Sequence, residues 1–288
     1  MDISQEAPAA FRTSAVRPGP IGLLREAAND IRSRSRLIRY LAMADLKKKG
    51  TDTLFGNVWW VLDPLLQMLV YVVLIEVILQ RTTPDYPLFI FAAILPWKWF
   101  STVVNDAITS ISSQDRLIKQ IQFPKIVLPA AAMLAGVVQF AFGFIPLAAM
   151  LVIFFHHRIS PYLLLIPVVA AVQFVFTFAF GLTVAALNVF FRDIGNLSRH
   201  VLRLWFYLSP GLYGAATLST LAVNHKLFIQ LMSFNPFFAI LESYRDAIYY
   251  GRLPNFGLLL SVFAASLVFV VIATLLFKRL EPAFAKVL

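Results

Sequence analysis

The 288 residues include no cysteine, so disulfides and thiolate metal sites are excluded. Charge is scarce: 14% of residues are charged, where a soluble domain carries about 25%. The four histidines are His156, His157, His200 and His225, with no H-x-x-x-H spacing, and no metal site is expected. A G-x-x-x-x-G-K-[ST] loop is missing, so this chain does not hold ATP in a Walker loop. G-x-S-x-G is missing too. Residues 1–30 contain no apolar core of the kind a cleavable signal peptide has. Alternating strand segments, the barrel signature, are absent.

What is abundant is apolar sequence. Apolar residues make up 59% of the chain and the mean hydropathy is +0.76. Ile126 to Phe155 carries no charged residue, and neither does Ile159 to Phe191. About 20 apolar residues span a bilayer as a helix, and a helix satisfies its own backbone in lipid. The predicted fold is all-α and integral to a membrane. Six transmembrane helices are expected at Val58–Leu79, Leu88–Ile111, Ile126–Phe155, Tyr162–Phe190, Val201–Ala216 and Phe256–Phe277. The fifth is short and interrupted by Pro210, Gly211 and Gly214. Residues 217–255, with His225, Lys226, Asn235-Pro236, Glu242, Arg245 and Asp246, are too polar for a span and too apolar for a free loop. They are expected to form re-entrant outer helices, or alternatively a folded outer cap.

Residues 1–20 predict a disordered tail and 21–53 an amphipathic interface helix. Leu24, Ala28, Ile31, Ile38 and Ala42 form its apolar stripe. Arg25, Arg32, Arg36 and Arg39 lie beside it, where they would meet lipid phosphates or merely anchor to anionic lipid. Basic residues fix the orientation. With the N-terminus inside, 19 of the 25 lysines and arginines fall inside and Arg81, Lys98, Arg158, Lys226, Arg245 and Arg252 fall outside. Both termini, including a tail at 281–288, are then cytoplasmic. The net charge of +10 follows from this asymmetry and does not call for nucleic acid.

No enzyme constellation stands out. Asp63, Glu76 and Asp106 are the carboxylates inside spans, and such groups are functional candidates by default. Asp63, before Pro64, suits a structural role at a helix start. Asp106 is expected to pair with a nearby base. The segment from Ser112 to Lys125 predicts a short helix, capped by Ser113, starting at Gln114 with Asp115 in its first turn. Leu117, Ile118 and Ile121 would give it an apolar side, and Pro124 would end it. Such a helix could transmit force from a cytoplasmic partner, or be an ordinary surface loop. Trp59 and Trp60 lie at the inner boundary, and Trp97 and Trp99 are expected toward the outer one. Tyr71, Trp97, Trp99 and Phe100 are candidates to line a pathway, because flat aromatic faces stack on sugar rings and permit sliding.

Several stretches resemble one known family. They are L-F-G-N-V-W-W-V-L-D-P-L-L from Leu54, Y-P-L-F-I-F-A-A-I-L-P-W-K-W-F from Tyr86, L-I-K-Q-I-Q-F-P-K-I-V-L-P from Leu117 and N-V-F-F-R-D-I from Asn188. Ser209-Pro210, Asn235-Pro236 and Tyr244-Arg245 follow in the same order. Together they resemble ABC-2 type permeases that export polysaccharides and polyol phosphates, from about residue 36 onward. The resemblance implies a transmembrane domain over 54–280. It implies that Ser113, Gln114, Asp115, Arg116, Leu117 and Lys119 belong to a coupling helix. It implies an outer gate around Pro210, Asn235, Pro236 and Arg245. It also implies a second copy of the chain and two separate ATPase subunits carrying ATP and magnesium. The expected cargo is lipid-linked polysaccharide crossing the cytoplasmic membrane. Asp63 departs from the asparagine associated with its position, and the first 35 residues exceed the family pattern.

Three rivals remain open. One is an ABC-2 exporter of a small lipid or drug. Another is a multi-span transferase acting on a lipid-linked substrate, for which Asp106 with Asn105 is the best polar pair available. The third is a proton-coupled carrier, which lacks a midplane relay here.

Overall fold

A computed structural model describes residues 18–51, 53–80, 83–214 and 234–287. Most of the expected N-terminal tail therefore lies outside the described residues. So do residues 217–233 of the expected re-entrant segment.

Among the described residues every regular element is a helix. Helices α1 (Pro20–Ser33) and α2 (Ser35–Gly50) come first. They are followed by α3 (Trp59–Val72), which runs on as a wider π-turn to Ile78, and by α4 (Tyr86–Ser110). The short α5 (Asp115–Gln120) precedes α6 (Val127–Ile153) and α7 (Ile166–Phe190). Next come α8 (Asp193–Leu208) and α9 (Pro236–Arg245), which widens into a π-turn at Asp246–Tyr250. The last is α10 (Phe256–Val287). Five segments are long and apolar enough to cross a membrane: Gly56–Ile78, Tyr86–Gln120, Val127–Ile153, Pro161–Phe190 and Phe256–Val287.

The expected fifth span is not among them. Helix α8 starts eight residues earlier than expected, at Asp193, and ends at Leu208. Pro210 cannot extend it, and Asn196, Arg199, His200 and Arg203 make it amphipathic rather than apolar. It still runs alongside α4. A Cβ on Gly195 would lie 3.5 Å from Ile108, near one end of α4, and one on Gly214 would lie 3.5 Å from Phe89, near the other.

Helix α4 is the central post. Of its most apolar stretch 78% is buried, against 6% for α3. Two glycines bring α6 against it. A Cβ on Gly136 would come within 2.1 Å of Val103, and one on Gly143 within 2.1 Å of Leu95. Small residues one face apart are how helices approach closely in lipid. Helix α7 is pinned to α4 by two side-chain amides. Gln173 Nε2 donates to the Pro96 carbonyl at 2.7 Å, and Asn188 Nδ2 donates to the Ile108 carbonyl at 2.9 Å. Both are buried, where an unmade hydrogen bond is costly.

The single amphipathic helix expected over 21–53 is two helices, broken at Arg34. Its apolar stripe also meets protein. Ile38, Ala42 and Leu46 of α2 pack on Val127, Ala130, Ala131 and Ala135 of α6. Ala27 rather than Ala28 is buried from α1. Lys278 of α10 holds α1 in place, with Nζ 2.5 Å from Asp30, 3.1 Å from Glu26 and 2.9 Å from Glu281. Glu281 also accepts the Lys125 N–H between α5 and α6. Helices α1, α2 and α5 thus share one end of the bundle, with the last turns of α10.

Candidate functional site

At that end, α5 presents the predicted short helix with altered details. It begins at Asp115, and neither Ser113 nor Gln114 makes a side-chain cap. Ser112–Gln114 forms a 3-10 turn that leads out of α4. Ser113 is exposed. Arg116 and Lys119 are also exposed, and Lys119 lies 3.4 Å from Asp115 one turn back. Gln114 and Leu117 are half-buried. Ile118 is the anchor, buried with Ile111, Phe123 and Ile126. Ile121 is not part of an apolar side: it is 53% exposed, because the backbone turns extended there and the helix has already ended before Pro124. Arg25, Arg32, Arg36 and Arg39 are exposed along α1 and α2.

Charges run inward from this end along one face of α4. Lys49, at the end of α2, lies 2.5 Å from Asp106 and 3.1 Å from Asp45. Burial opposes the charge on Lys49, but Asp106 and Asp45 outweigh it, and its pKa is raised above the usual lysine value. Two turns further along α4, Lys98 pairs with Asp63 of α3. Lys98 was expected outside the membrane, yet it sits halfway along a 25-residue helix. An ammonium there requires its carboxylate. Asp106 has the base it was expected to find. Asn105 does not converge with it: its amide turns back to the Ser101 carbonyl at 2.7 Å, and the two residues line different hollows.

The four pathway aromatics, Tyr71 of α3 and Trp97, Trp99 and Phe100 of α4, are all buried in one hydrophobic cluster. Within it, Phe237 lies 4.7 Å from Trp97 and 4.5 Å from Phe100, and Tyr71 meets Phe206 at 5.9 Å. Trp99, two residues on from Trp97 and so on a different face of α4, stacks on Phe140 at 4.3 Å. Trp97 and Trp99 are mid-helix.

At the opposite end the four expected gate residues come together. Helix α8 breaks at Ser209, and the carbonyls of the turn that follows are collected by Arg245, which is fully buried. The guanidinium donates to the carbonyls of Pro210 at 2.5 Å, Gly211 at 2.6 Å and Tyr213 at 2.9 Å. It also meets Glu242 at 2.9 Å and lies 3.9 Å over the Phe89 ring. Asn235 caps α9, with Oδ1 accepting from Phe237 N–H at 3.1 Å and from Trp205 Nε1 at 3.0 Å, while its amide donates to Ser209 at 2.8 Å. Pro236 takes the first helical position of α9. Nearby, Asp85 bridges Arg158 at 2.7 Å and His157 at 2.9 Å. Burial pushes the Asp85 pKa up, but His157 and Arg158 outweigh it, and it is lowered. Arg158 reaches the Tyr249 carbonyl, and Tyr249 the Pro84 carbonyl.

Among the described residues no group of three His, Asp or Glu side chains is placed to hold a metal ion. Sequence reasoning passed over Lys49, Gln139, Gln173, Asn188, Trp205 and Lys278. Gln139, Gln173 and Asn188 carried a signal: each is an amide inside a long uncharged run, where polar groups need a partner.

The fold is that of a multi-pass helical membrane protein with a short helix slung between two spans. The comparisons make this specific. Residues 36–249 match the ABC-2 type transporter family, and the chain belongs to it. The chain is 32% identical over 250 residues to the O-antigen export system permease protein RfbA of Myxococcus xanthus, covering 87% of this chain and 94% of that one. Two proteins of the same description from Klebsiella pneumoniae are 25% and 26% identical, with 88% of this chain and 95% of theirs covered.

Proposed function

We propose that this chain is the permease subunit of an ATP-binding-cassette exporter that moves lipid-linked polysaccharide across the cytoplasmic membrane. The observation that carries the reading is family membership together with near full-length similarity to O-antigen export permeases. Two copies form the pore, and two separate ATPase subunits bind ATP and magnesium. The exposed apolar faces of α3 and α8 support a second copy, with Leu66, Leu69 and Val70 on one and Leu197, Val201 and Leu204 on the other. Both termini are cytoplasmic. The basic residues of the chain fall mostly on that side, as the sequence count has them. Helix α8, packed beside α4, together with the chain that follows it to Gly214 completes six crossings, and α9 with its π-turn is part of the re-entrant outer segment. The ATPases push on α5, from Ser113 to Lys119. Arg25, Arg32, Arg36 and Arg39 face lipid phosphates, and the residues around Arg245 and Asn235 close the outer end. Opening brings Tyr71, Trp97, Trp99 and Phe100 to the path.

The test is co-purification with the ATPase encoded beside the gene, combined with deletion of the gene. A stable complex with altered ATP hydrolysis is expected, as is loss of surface polysaccharide on deletion. An intact polysaccharide coat in the deletion strain overturns the reading.

A further inference from the structure

Between α3, α4 and α6 lies a hollow of about 260 Å³. Its floor is the polar face of α4, from Lys98 through Thr102 to Asp106. Gly136 and Gly143 of α6 make one wall and Trp59 and Trp60 of α3 the other. Two N–H donors in its lining have no acceptor, Trp99 Nε1 and Gln139 Nε2. Trp99 is 5% exposed, and its Nε1 faces the bare backbone of Gly136, where a Cβ would lie 3.5 Å away. A buried donor left unmade requires an occupant or a water. The hollow also opens to the protein surface, since the side chains of Lys98 and Asp63 are 37% and 52% exposed.

The chemistry of the lining narrows the occupant. Both lysines are already paired with carboxylates, Lys49 with Asp106 and Lys98 with Asp63. The hollow therefore offers no unmatched positive charge for a phosphate and no unmatched carboxylate for a cation. An acyl chain would leave both N–H groups without acceptors. A neutral ring bearing several hydroxyls meets every requirement. Its oxygens accept from Trp99 and Gln139, its hydroxyls donate to Asp63 or Asp106, and its flat face lies on an indole. Mostly apolar walls with a few converging polar groups are the usual make-up of a small-ligand site.

We propose that this hollow is a subsite for one uncharged, hydroxyl-rich sugar residue of the exported chain, a proposal that rests on the export function above. The experiment places the photoreactive residue p-benzoylphenylalanine at Gln139 and, in a second strain, at Thr102. Each variant is the cell's sole copy, expressed with its partner ATPase. Val268, on the exposed face of α10, is the control position. Irradiation is expected to convert the permease band into a polysaccharide-staining ladder at 139 and 102 but not at 268. Normal surface polysaccharide with no ladder from either position overturns the subsite, shows that the hollow holds water only and leaves the export function standing. Normal polysaccharide in the gene-deletion strain overturns both. The variants Gln139→Leu and Trp99→Phe, which remove the two N–H donors, provide a second measurement, free of the bulky probe. Each should slow appearance of new surface polysaccharide at least about threefold at unchanged permease abundance, and wild-type rates in both would also sink the subsite.

Discussion

Arg245 shows what a single side chain holds at the outer end. Its planar fork serves carbonyls at three positions after the α8 break, plus Glu242. Lysine has one ammonium and cannot span that arc. Arg245→Met leaves the carbonyls buried without donors and should destabilise the protein by about 3–5 kcal/mol, the usual scale for breaking a buried ionic cluster. Arg245→Lys should recover less than half of the loss. Thermal unfolding in detergent measures both, and a midpoint within a degree or two of wild type for Arg245→Met would contradict the assignment. The sequence displayed this arginine as an outside charge. Nothing in a charge count distinguishes a solvated arginine from one that replaces water for a broken helix.

Helix α5 has one buried and one exposed face. Ile118 is buried in the bundle, whereas Arg116 is exposed and Asp115 pairs with Lys119 along the helix. Ile118→Ala should cost about 2–5 kcal/mol through the cavity it leaves. Replacing Asp115 and Arg116 together by alanine should leave the unfolding midpoint unchanged yet lower polysaccharide export more than tenfold. Export at the wild-type rate in that double variant would remove the coupling role. This helix was legible in outline, because a polar stretch with one apolar anchor is flanked by two long runs. Its start was misplaced by the serine, which forms no cap. The five apolar spans were legible because each holds a long stretch with little or no charge, uninterrupted in Val127–Ile153 and Pro161–Phe190. The α8 segment was less so: its polar face lowers its hydropathy, and its second half is held by contacts far away in sequence. The break between α1 and α2 has no proline or glycine to announce it.

At the scale of the molecule, ion pairs fasten both ends of the bundle, Asp85 with His157 and Arg158 at one and Lys278 with Asp30 and Glu26 at the other. Asp85, whose pKa is lowered, joins the α3–α4 link to the α6–α7 loop. A carboxylate with a depressed folded pKa contributes stability that is complete above its ordinary value of about 3.9 and lost as pH falls through the lower folded value. Protection of the amides around 155–160 and 246–251, taken relative to their intrinsic exchange rates, should therefore fall below about pH 4, and Asp85→Asn should show the lower protection already at pH 7. Protection factors independent of pH in the wild type would refute the clasp. The aromatic core and the α4–α6 glycine contacts carry no such dependence. Lys278 has a different consequence, in time rather than in energy. Its partners Asp30 and Glu26 precede it by 248 and 252 residues. At about 5–20 residues per second of synthesis, α1 leaves the ribosome on the order of ten to fifty seconds before its anchor exists. The first helix of the chain is thus among the last to be seated, and a nascent permease truncated before α10 would float its N-terminus unattached.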